Sequence, residues 1–222
     1  ITRNRMAVKR AVAGATDLAI PDGEMPEAAA AGDLAQLIAI GVLCNDARMN
    51  GGENDDCALP TGSPTQCALI DLATRAGCDV KALRRSHPLL EVKHRAENRL
   101  YMSTIHEAPE GGRLLAVKGS PADVLGMCDR CLENGETLPL TDAVRMEIEL
   151  KNARMAGQAL RVLGAAFKNV NGDGAATEEG MTWVGLIGMA DPIRPGVKGL
   201  IKTLHRAGID TVRRIVKIAG DL

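Results

Sequence analysis

Along this chain the spacing of apolar residues switches between two and three-to-four, and each switch marks an element. Met6, Val8 and Val12 alternate with polar or small residues and predict a strand. From Gly14 to Gly32 the chain is rich in Ala, Pro and Asp without a period, which predicts an irregular connection. Leu34, Leu37, Ile38, Val42 and Leu43 form a helical face with Asp33 in the N-cap position, and a Gly, Asn and Asp cluster then carries the chain from Cys44 through Asp56 as a loop. Gly62-Ser63-Pro64-Thr65 starts a second helix, with Ala68, Leu69, Leu72 and Ala73 on its apolar face and a stop at Gly77.

Ser86 to Pro88 reads as a turn. Leu89 to Val92, Leu100 to Glu107 and Arg113 to Lys118 read as strands, the last two joined by a hairpin turn at Gly111-Gly112. The apolar run Leu114 to Val117 ends in Lys118-Gly119, and Pro121 opens a helix carrying Val124, Leu125 and Cys128. Thr141-Asp142 starts a long amphipathic helix with Val144, Met146, Ile148, Met155 and Ala156, ending at Gly157. Ala159 to Phe167 and Trp183 to Met189 read as strands on either side of a loop from Asn169 to Gly180. The prolines of Asp191 to Pro195 interrupt regular structure, after which Val197, Leu200, Ile201 and Leu204 mark a helix closed by Gly208, and Ile209 to Val212 reads as a strand. That last pattern is of the parallel type and the middle of the chain is antiparallel, so a boundary is expected near Asp191. The fold class expected is α/β (α+β), a central antiparallel sheet flanked by helices.

Composition narrows the chemistry. With one Phe, one Tyr and one Trp in 222 residues, the core has to be aliphatic. A net charge of −1 and scattered basic residues leave no electrostatic footprint for nucleic acid or an anionic membrane surface. The longest apolar run, Leu34 to Leu43, has the length of a core helix and falls short of the ~18 residues of a membrane span. No signal peptide opens the chain, which starts without Met and reads as a fragment. Its six cysteines are therefore read as reduced thiols. Cys128 and Cys131 have the spacing of half a zinc site, but without a second close pair they read as a helix end and its loop, and no metal site is expected.

Two positions carry candidate chemistry. At the junction after Leu114 to Val117, Gly119 has no side chain to block a ligand, the first turn of the next helix offers unpaired N–H groups, and Lys118 adds a positive charge. The junction reads either as an anion site or as an ordinary strand-to-helix turn with a solvated lysine. Arg161, at the mouth of an apolar strand, is either snorkelling or holding something negative.

Six motifs, in order across nearly the whole chain, resemble the nucleotide-binding domain of a P-type ATPase, a cation pump that phosphorylates its own aspartate. Ile1-Thr2-Arg3-Asn4-Arg5-Met6 is similar to the segment after the family's Asp-Lys-Thr-Gly-Thr motif. Cys44-Asn45-Asp46-Ala47 resembles Cys-Asn-Asn-Ala, and Gly62-Ser63-Pro64-Thr65-Gln66 resembles Gly-Asp-Pro-Thr-Glu. Lys118-Gly119-Ser120-Pro121-Ala122 resembles Lys-Gly-Ala-Pro-Glu, Leu160-Arg161-Val162-Leu163 resembles Leu-Arg-Val-Leu, and Asp191-Pro192-Ile193-Arg194-Pro195 resembles Asp-Pro-Pro-Arg-Pro.

The resemblance implies an ATP site on the sheet face. Lys118 and Gly119 would line its adenine and ribose end with Ser120 beside them, Thr65, Gln66 and Leu163 would lie within the matched elements, and Arg161 would reach the phosphates. Gln66 replaces an acidic residue that meets the adenine amino group, and its amide oxygen can still accept that hydrogen bond. Arg99 and Met102 match the arginine and methionine of Arg-Lys-x-Met-Ser, whose lysine is replaced by Leu100. The family's adenine-stacking phenylalanine, seven residues before the methionine, is Arg95 here, next to His94. A guanidinium plane can also stack, so Arg95 or His94 is expected to substitute.

By the same resemblance, residues 1–8 form a hinge and the end of a phosphorylation-domain segment, 9–190 the nucleotide-binding domain, and 191–222 a hinge, with Asp191 and Arg194, plus a piece of a haloacid dehalogenase-like phosphorylation domain. The phosphorylated aspartate would precede Ile1 and the magnesium-binding end would come after Leu222, so no catalytic residue is expected here. Ala219-Gly220-Asp221 only faintly resembles Thr-Gly-Asp and is given no role. ATP, with Mg2+ held mainly from outside, and the phosphorylation, actuator and membrane domains of the same polypeptide would be its partners. The piece itself would be soluble and monomeric, on the cytoplasmic face of a membrane. Two rivals stay open: a stand-alone haloacid dehalogenase-type phosphohydrolase, which needs an Asp-x-Asp motif that no strand here precedes, and a nucleotide-independent interaction module. The size of the domain leans towards non-heavy-metal cations without naming one.

Overall fold

Three strands in the middle of the chain, short runs bounded by turn residues, pair with one another, and the rest of the molecule is layered on them. The structure, a computed structural model, describes residues 5–21, 25, 31–49, 60–170, 177–191 and 196–209. In order the elements are β1 (Ala7–Ala13), β2 (Thr16–Ala19), α1 (Gly32–Leu43), β3 (Arg48–Met49), β4 (Pro60–Thr61), α2 (Pro64–Arg75), α3 (Val80–Ser86), β5 (Leu89–Lys93), β6 (Tyr101–Glu107), β7 (Arg113–Gly119) and α4 (Pro121–Gly126). They continue as β8 (Cys128–Glu133), β9 (Glu136–Pro139), α5 (Asp142–Gly157), β10 (Arg161–Val170), β11 (Met181–Ala190) and α6 (Val197–Arg206). Met6–Ala190 form one compact unit, and Arg5, Asp191 and residues 196–209 belong to a second.

In the first unit the strands run in the order β2-β1-β11-β10-β7-β6-β5, each antiparallel to its neighbours. The mixed α/β class with a central antiparallel sheet is thus as expected. β11 has one edge on β10 and shares the other: β1 takes Gly185 to Ala190 and β8, running parallel, takes Met181 to Trp183. The changeover coincides with an irregularity in β11, where Ala165 pairs with Gly185 but Ala166 with Trp183, leaving Val184 as an extra residue.

Alternation sends side chains to two cores. On one face, α1 and α2 cover the sheet with Leu34, Leu37, Leu69 and Leu72 against Ala116, Ala165 and Ile187. On the other, α4 and α5 bring Val124, Ile148 and Met155 against Val117, Trp183 and Leu186. With so few aromatic residues, this burial comes from many small aliphatic contacts, each worth ~25 cal/mol per Å² removed from water.

Several local expectations are corrected. Part of the stretch after Gly14 is not irregular: a turn at Gly14, with φ of +52°, and Ala15 folds β2 back on β1, and Arg10 clamps Asp17 at 2.7 and 2.8 Å. Asp33 does not cap α1. Ala31 is the N-cap, and the buried Asp33 carboxylate accepts from the backbone N–H groups of Asn134 and Gly135 at 2.7 and 2.8 Å. Cys128 does not lie on a helix; α4 stops at Gly126, and Cys128 and Cys131 sit on β8, whose hairpin with β9 had no counterpart in the periodicity. A short β3–β4 pairing lies at the borders of the Gly, Asn and Asp loop, and α3, capped by Asp79 onto the N–H of Ala82 at 2.8 Å, was not foreseen. β10 runs on to Val170, and on α5 Met146 and Ala156 are exposed where Ile148 and Met155 are buried.

In the second unit, the N–H of Arg5 donates to the Asp191 carboxylate at 3.3 Å, and α6 comes directly after Gly196. Arg194, Ala219-Gly220-Asp221 and, beyond Ile209, the last expected strand lie outside the described residues.

Asp33 is the only side chain holding the two turn N–H groups of the β8–β9 hairpin among the described hydrogen bonds. Asp33→Ala is expected to lower unfolding stability by about 2–4 kcal/mol, since two charge-assisted bonds go and two N–H groups lose their partner. Urea denaturation followed by circular dichroism measures it, and a loss below about 0.5 kcal/mol would contradict the account.

Candidate functional site

The site is built around Lys118. On β7 it pairs with Met102 of β6 on one side and Ala165 of β10 on the other, so its side chain rises on the face covered by α1 and α2. It is only 7% exposed, and its Nζ has no hydrogen-bond partner among the described residues. Burial pushes its pKa down; Cys44 and Asp46 oppose that shift and Arg84 reinforces it.

The wall above Lys118 is the turn after α1. Asn45 locks it: its amide donates to the carbonyls of Gly41 at 3.2 Å and Gln66 at 3.0 Å, and its oxygen accepts from the N–H of Ala47 at 2.9 Å. Arg84 of α3 donates to the carbonyls of Ala47, Val42 and Asn45 at 2.8, 3.3 and 3.2 Å, satisfying acceptors that a helix C-terminus leaves free. Desolvation lowers the Arg84 pKa and the nearby Asp46 charge counters it. Cys44 is buried, its thiol donates to the carbonyl of Met102 at 3.3 Å, and burial pushes its pKa up. Asp46 is left exposed at the rim, 3.7 Å from the Nδ1 of His94.

Other residues singled out by sequence distribute unevenly. Ser63 caps α2 onto the N–H of Gln66 at 3.4 Å, which leaves Thr65 and Gln66 half-buried in its first turn, the Gln66 amide 3.9 Å from the sulfur of Met102. Leu163 and Arg161 precede Ala165 by two and four positions along β10, so they share the face of Lys118; Arg161 is exposed, ~13 Å along the strand from Ala165 at 3.3 Å per residue. Gly119 is bare for a packing reason: a Cβ there would meet the backbone of Tyr101 at 2.4 Å, and the N–H of Ser120 already donates to the carbonyl of Leu100 at 2.9 Å. α4 has only six residues.

Arg99 turns elsewhere. It lies over the Tyr101 ring at 5.5 Å and donates to the carbonyl of His94. Tyr101 and Ser103 point away from Lys118 and donate to the Glu178 carboxylate, each at 2.6 Å. The Tyr101 phenol is pushed up to about 12 by burial and by that carboxylate. Burial pushes Glu178 up, but the hydrogen bonds from Ser103 and Tyr101, with the Lys93 and Arg99 charges, outweigh it and hold the carboxyl below its usual range. Arg95 is exposed with no partner among the described residues.

Residues 33–196 match the family model described as P-type ATPase, cytoplasmic domain N. The chain belongs to the P-type ATPase family. It is 34% identical to the plasma-membrane-type calcium-transporting ATPase 2 of Arabidopsis thaliana, over 69% of this chain and 16% of that protein. A calcium-transporting ATPase of Listeria monocytogenes is 31% identical across 100% of this chain and 24% of its own length, and a cation-transporting ATPase of Synechocystis 34% across 85% and 20%. The chain therefore spans between about a sixth and a quarter of these P-type ATPases. Among the described residues no helix is long and apolar enough to cross a membrane, and no three His, Cys, Asp or Glu side chains come together as metal ligands.

Within this P-type ATPase domain, Asn45 and Arg84 hold the turn after α1 and Asp46 lies at its rim, three residues to which sequence reading gave no role. Asn45 and Asp46 lie inside a matched motif, but Arg84, in Leu83-Arg84-Arg85, looks like any solvated helix arginine. A buried ammonium without a partner is a stability cost. The folded state binds the Lys118 proton less tightly than the unfolded chain, so stability rises as pH climbs from the depressed folded pKa towards the ordinary lysine value. Lys118→Met should flatten that slope and add about 1–2 kcal/mol at neutral pH without ligand. Urea midpoints across an alkaline pH series measure both effects, and a destabilised variant would show that Lys118 is satisfied.

Proposed function

We propose that this chain is the nucleotide-binding part of an ATP-driven cation pump, holding ATP against the sheet face that carries Lys118. The observation behind this reading is the buried, unpartnered ammonium of Lys118 on one face with Arg161. An ammonium sunk without an acceptor is poised for one brought by a ligand, and a second cation about four residues along the strand suits an anionic chain leading away from it.

Adenine lies over Met102, beside Gln66, with Thr65 at the edge; Lys118 and Ser120 border the base and ribose, Gly119 and Leu163 form the floor, and Arg161 takes the phosphates. His94 rather than Arg95 covers the base, a choice supported by its distance of 3.7 Å from Asp46 at the rim. Arg99 supports the β5–β6 connection through the His94 carbonyl. Binding energy gained at the base positions the terminal phosphorus for an aspartate elsewhere in the polypeptide. Mg2+ would travel with the phosphates and shield their charge.

In this reading residues 9–190 act as the nucleotide-binding domain, 1–8 and 191–222 as hinges around Asp191 and Arg194 with part of a haloacid dehalogenase-like phosphorylation domain, and the partners are the remaining domains of the pump on the cytoplasmic side of a membrane. The relatives' names point to calcium as the transported ion. A nucleotide-independent module is the second reading, favoured by the lack of a Phe, Tyr or Trp in the β5–β6 connection.

Titrating ATP while following backbone amide shifts separates the two. Met102, Lys118, Leu163 and Arg161 are expected to move together, and an unchanged spectrum at millimolar ATP favours the module. His94→Phe should tighten ATP binding about fivefold to tenfold by adding a stacking ring, as base–aromatic stacking is worth ~1–3 kcal/mol. The same change at Arg95 should leave affinity within about twofold.

A further inference from the structure

On the opposite face of the sheet from Lys118 lies a cavity of about 300 Å³. Its origin is the changeover on β11: β8 leaves at Trp183, β1 joins at Gly185, and α5 spans the gap between them. The space is at the lower end of the ~300–1,000 Å³ of small-molecule sites and about ten times the ~30 Å³ share of one water.

The lining has two halves. Val144 and Ile148 of α5 face Leu186 and the indole of Trp183, which together make an apolar slot. At one end stand Glu133, Glu147 and Lys151. Lys151 is committed to Glu147 at 2.7 Å, whereas the Glu133 side chain has no hydrogen bond or ion pair among the described residues. One carboxylate is left over at the end of an apolar slot.

We propose that this cavity is a binding site for a small amphiphilic monocation, an organic ammonium with a compact apolar or aromatic body. The body would fill the slot against Trp183 and Ile148, and the ammonium would take the acceptor that Glu133 leaves unused. An anion would meet two carboxylates against one ammonium, and a neutral molecule would leave the Glu133 charge without a partner as it displaced water from the slot. Trp183 adds attraction for a cation through its ring face.

Trp183 is the chain's only tryptophan and lines this cavity, so its emission responds to an occupant. The test titrates the 222-residue chain with 2-phenylethylammonium chloride, following emission and heat, against 2-phenylethanol and 3-phenylpropionate. Saturable binding of the ammonium about tenfold tighter than the alcohol is expected, with none of the carboxylate. Glu133→Gln should bring ammonium and alcohol within about twofold of each other. Val144→Phe, which fills the slot, should abolish binding with the circular dichroism spectrum kept; Ala15→Leu at the rim serves if that variant fails to fold. No saturable response in emission and heat, equal binding of the alcohol, an ammonium preference that survives Glu133→Gln, or binding that survives the blocking variant would each overturn the proposal.

Discussion

A primary ammonium with no acceptor among the described residues, held on the floor of a β-sheet, constrains everything around it. A lysine four carbons long ordinarily reaches water; Lys118 is kept from doing so by Cys44 and Met102 beside it and by the turn after α1 above it. That turn is in turn fixed from two sides, by the three hydrogen bonds of Asn45 and the three of Arg84. With total stability of a domain near 5–15 kcal/mol, a buried cation is tolerable only where the surrounding frame is rigid enough that collapse around it costs more. The arrangement holds a charge away from water.

What the sequence could convey about the fold depended on whether burial left an apolar pattern to read. β6 and β7 lie inside the sheet and are buried along nearly their whole length, so Leu114 to Val117 reads as one apolar run, and their turn at Gly111-Gly112 is chemically explicit. β2 and β9 are edge strands with mostly exposed residues, so Thr16–Ala19 and Glu136–Pro139 carry no apolar stripe to read. β8 was masked differently: Val124, Leu125 and Cys128 hold helical spacing across a helix that ends at Gly126, and periodicity cannot tell that Cys128 has already joined a strand. Asp33 shows the limit of cap rules, since a carboxylate at a helix start is equally suited to N–H groups from a turn about a hundred residues away.

The candidate site was legible to the extent that it is made of contiguous motifs. Lys118, Met102 and Arg161 were found in separate stretches, but only the pairing of β7 with both β6 and β10 puts the first two side by side and the third on their face. Gly119 had a reason the sequence could not supply: the close backbone of Tyr101 requires a bare position there, whatever binds above. Arg84 was invisible because its role lies in three carbonyls contributed by another helix and its turn.

The two faces of the sheet meet at one residue. Gly164 lies between Leu163 and Ala165 on the Lys118 side and pairs with Gly119, while a Cβ on Gly164 would come within 2.7 Å of the Trp183 indole beneath. The ring therefore packs directly against backbone, with no side chain between it and the strand that carries Leu163. Close-packed interiors transmit displacement where no flexible side chain absorbs it, and at Gly164 there is none. The upper face of β10 here presents Ala165 to Lys118, so the sheet at this point is one backbone thick between the cavity under α5 and the buried ammonium.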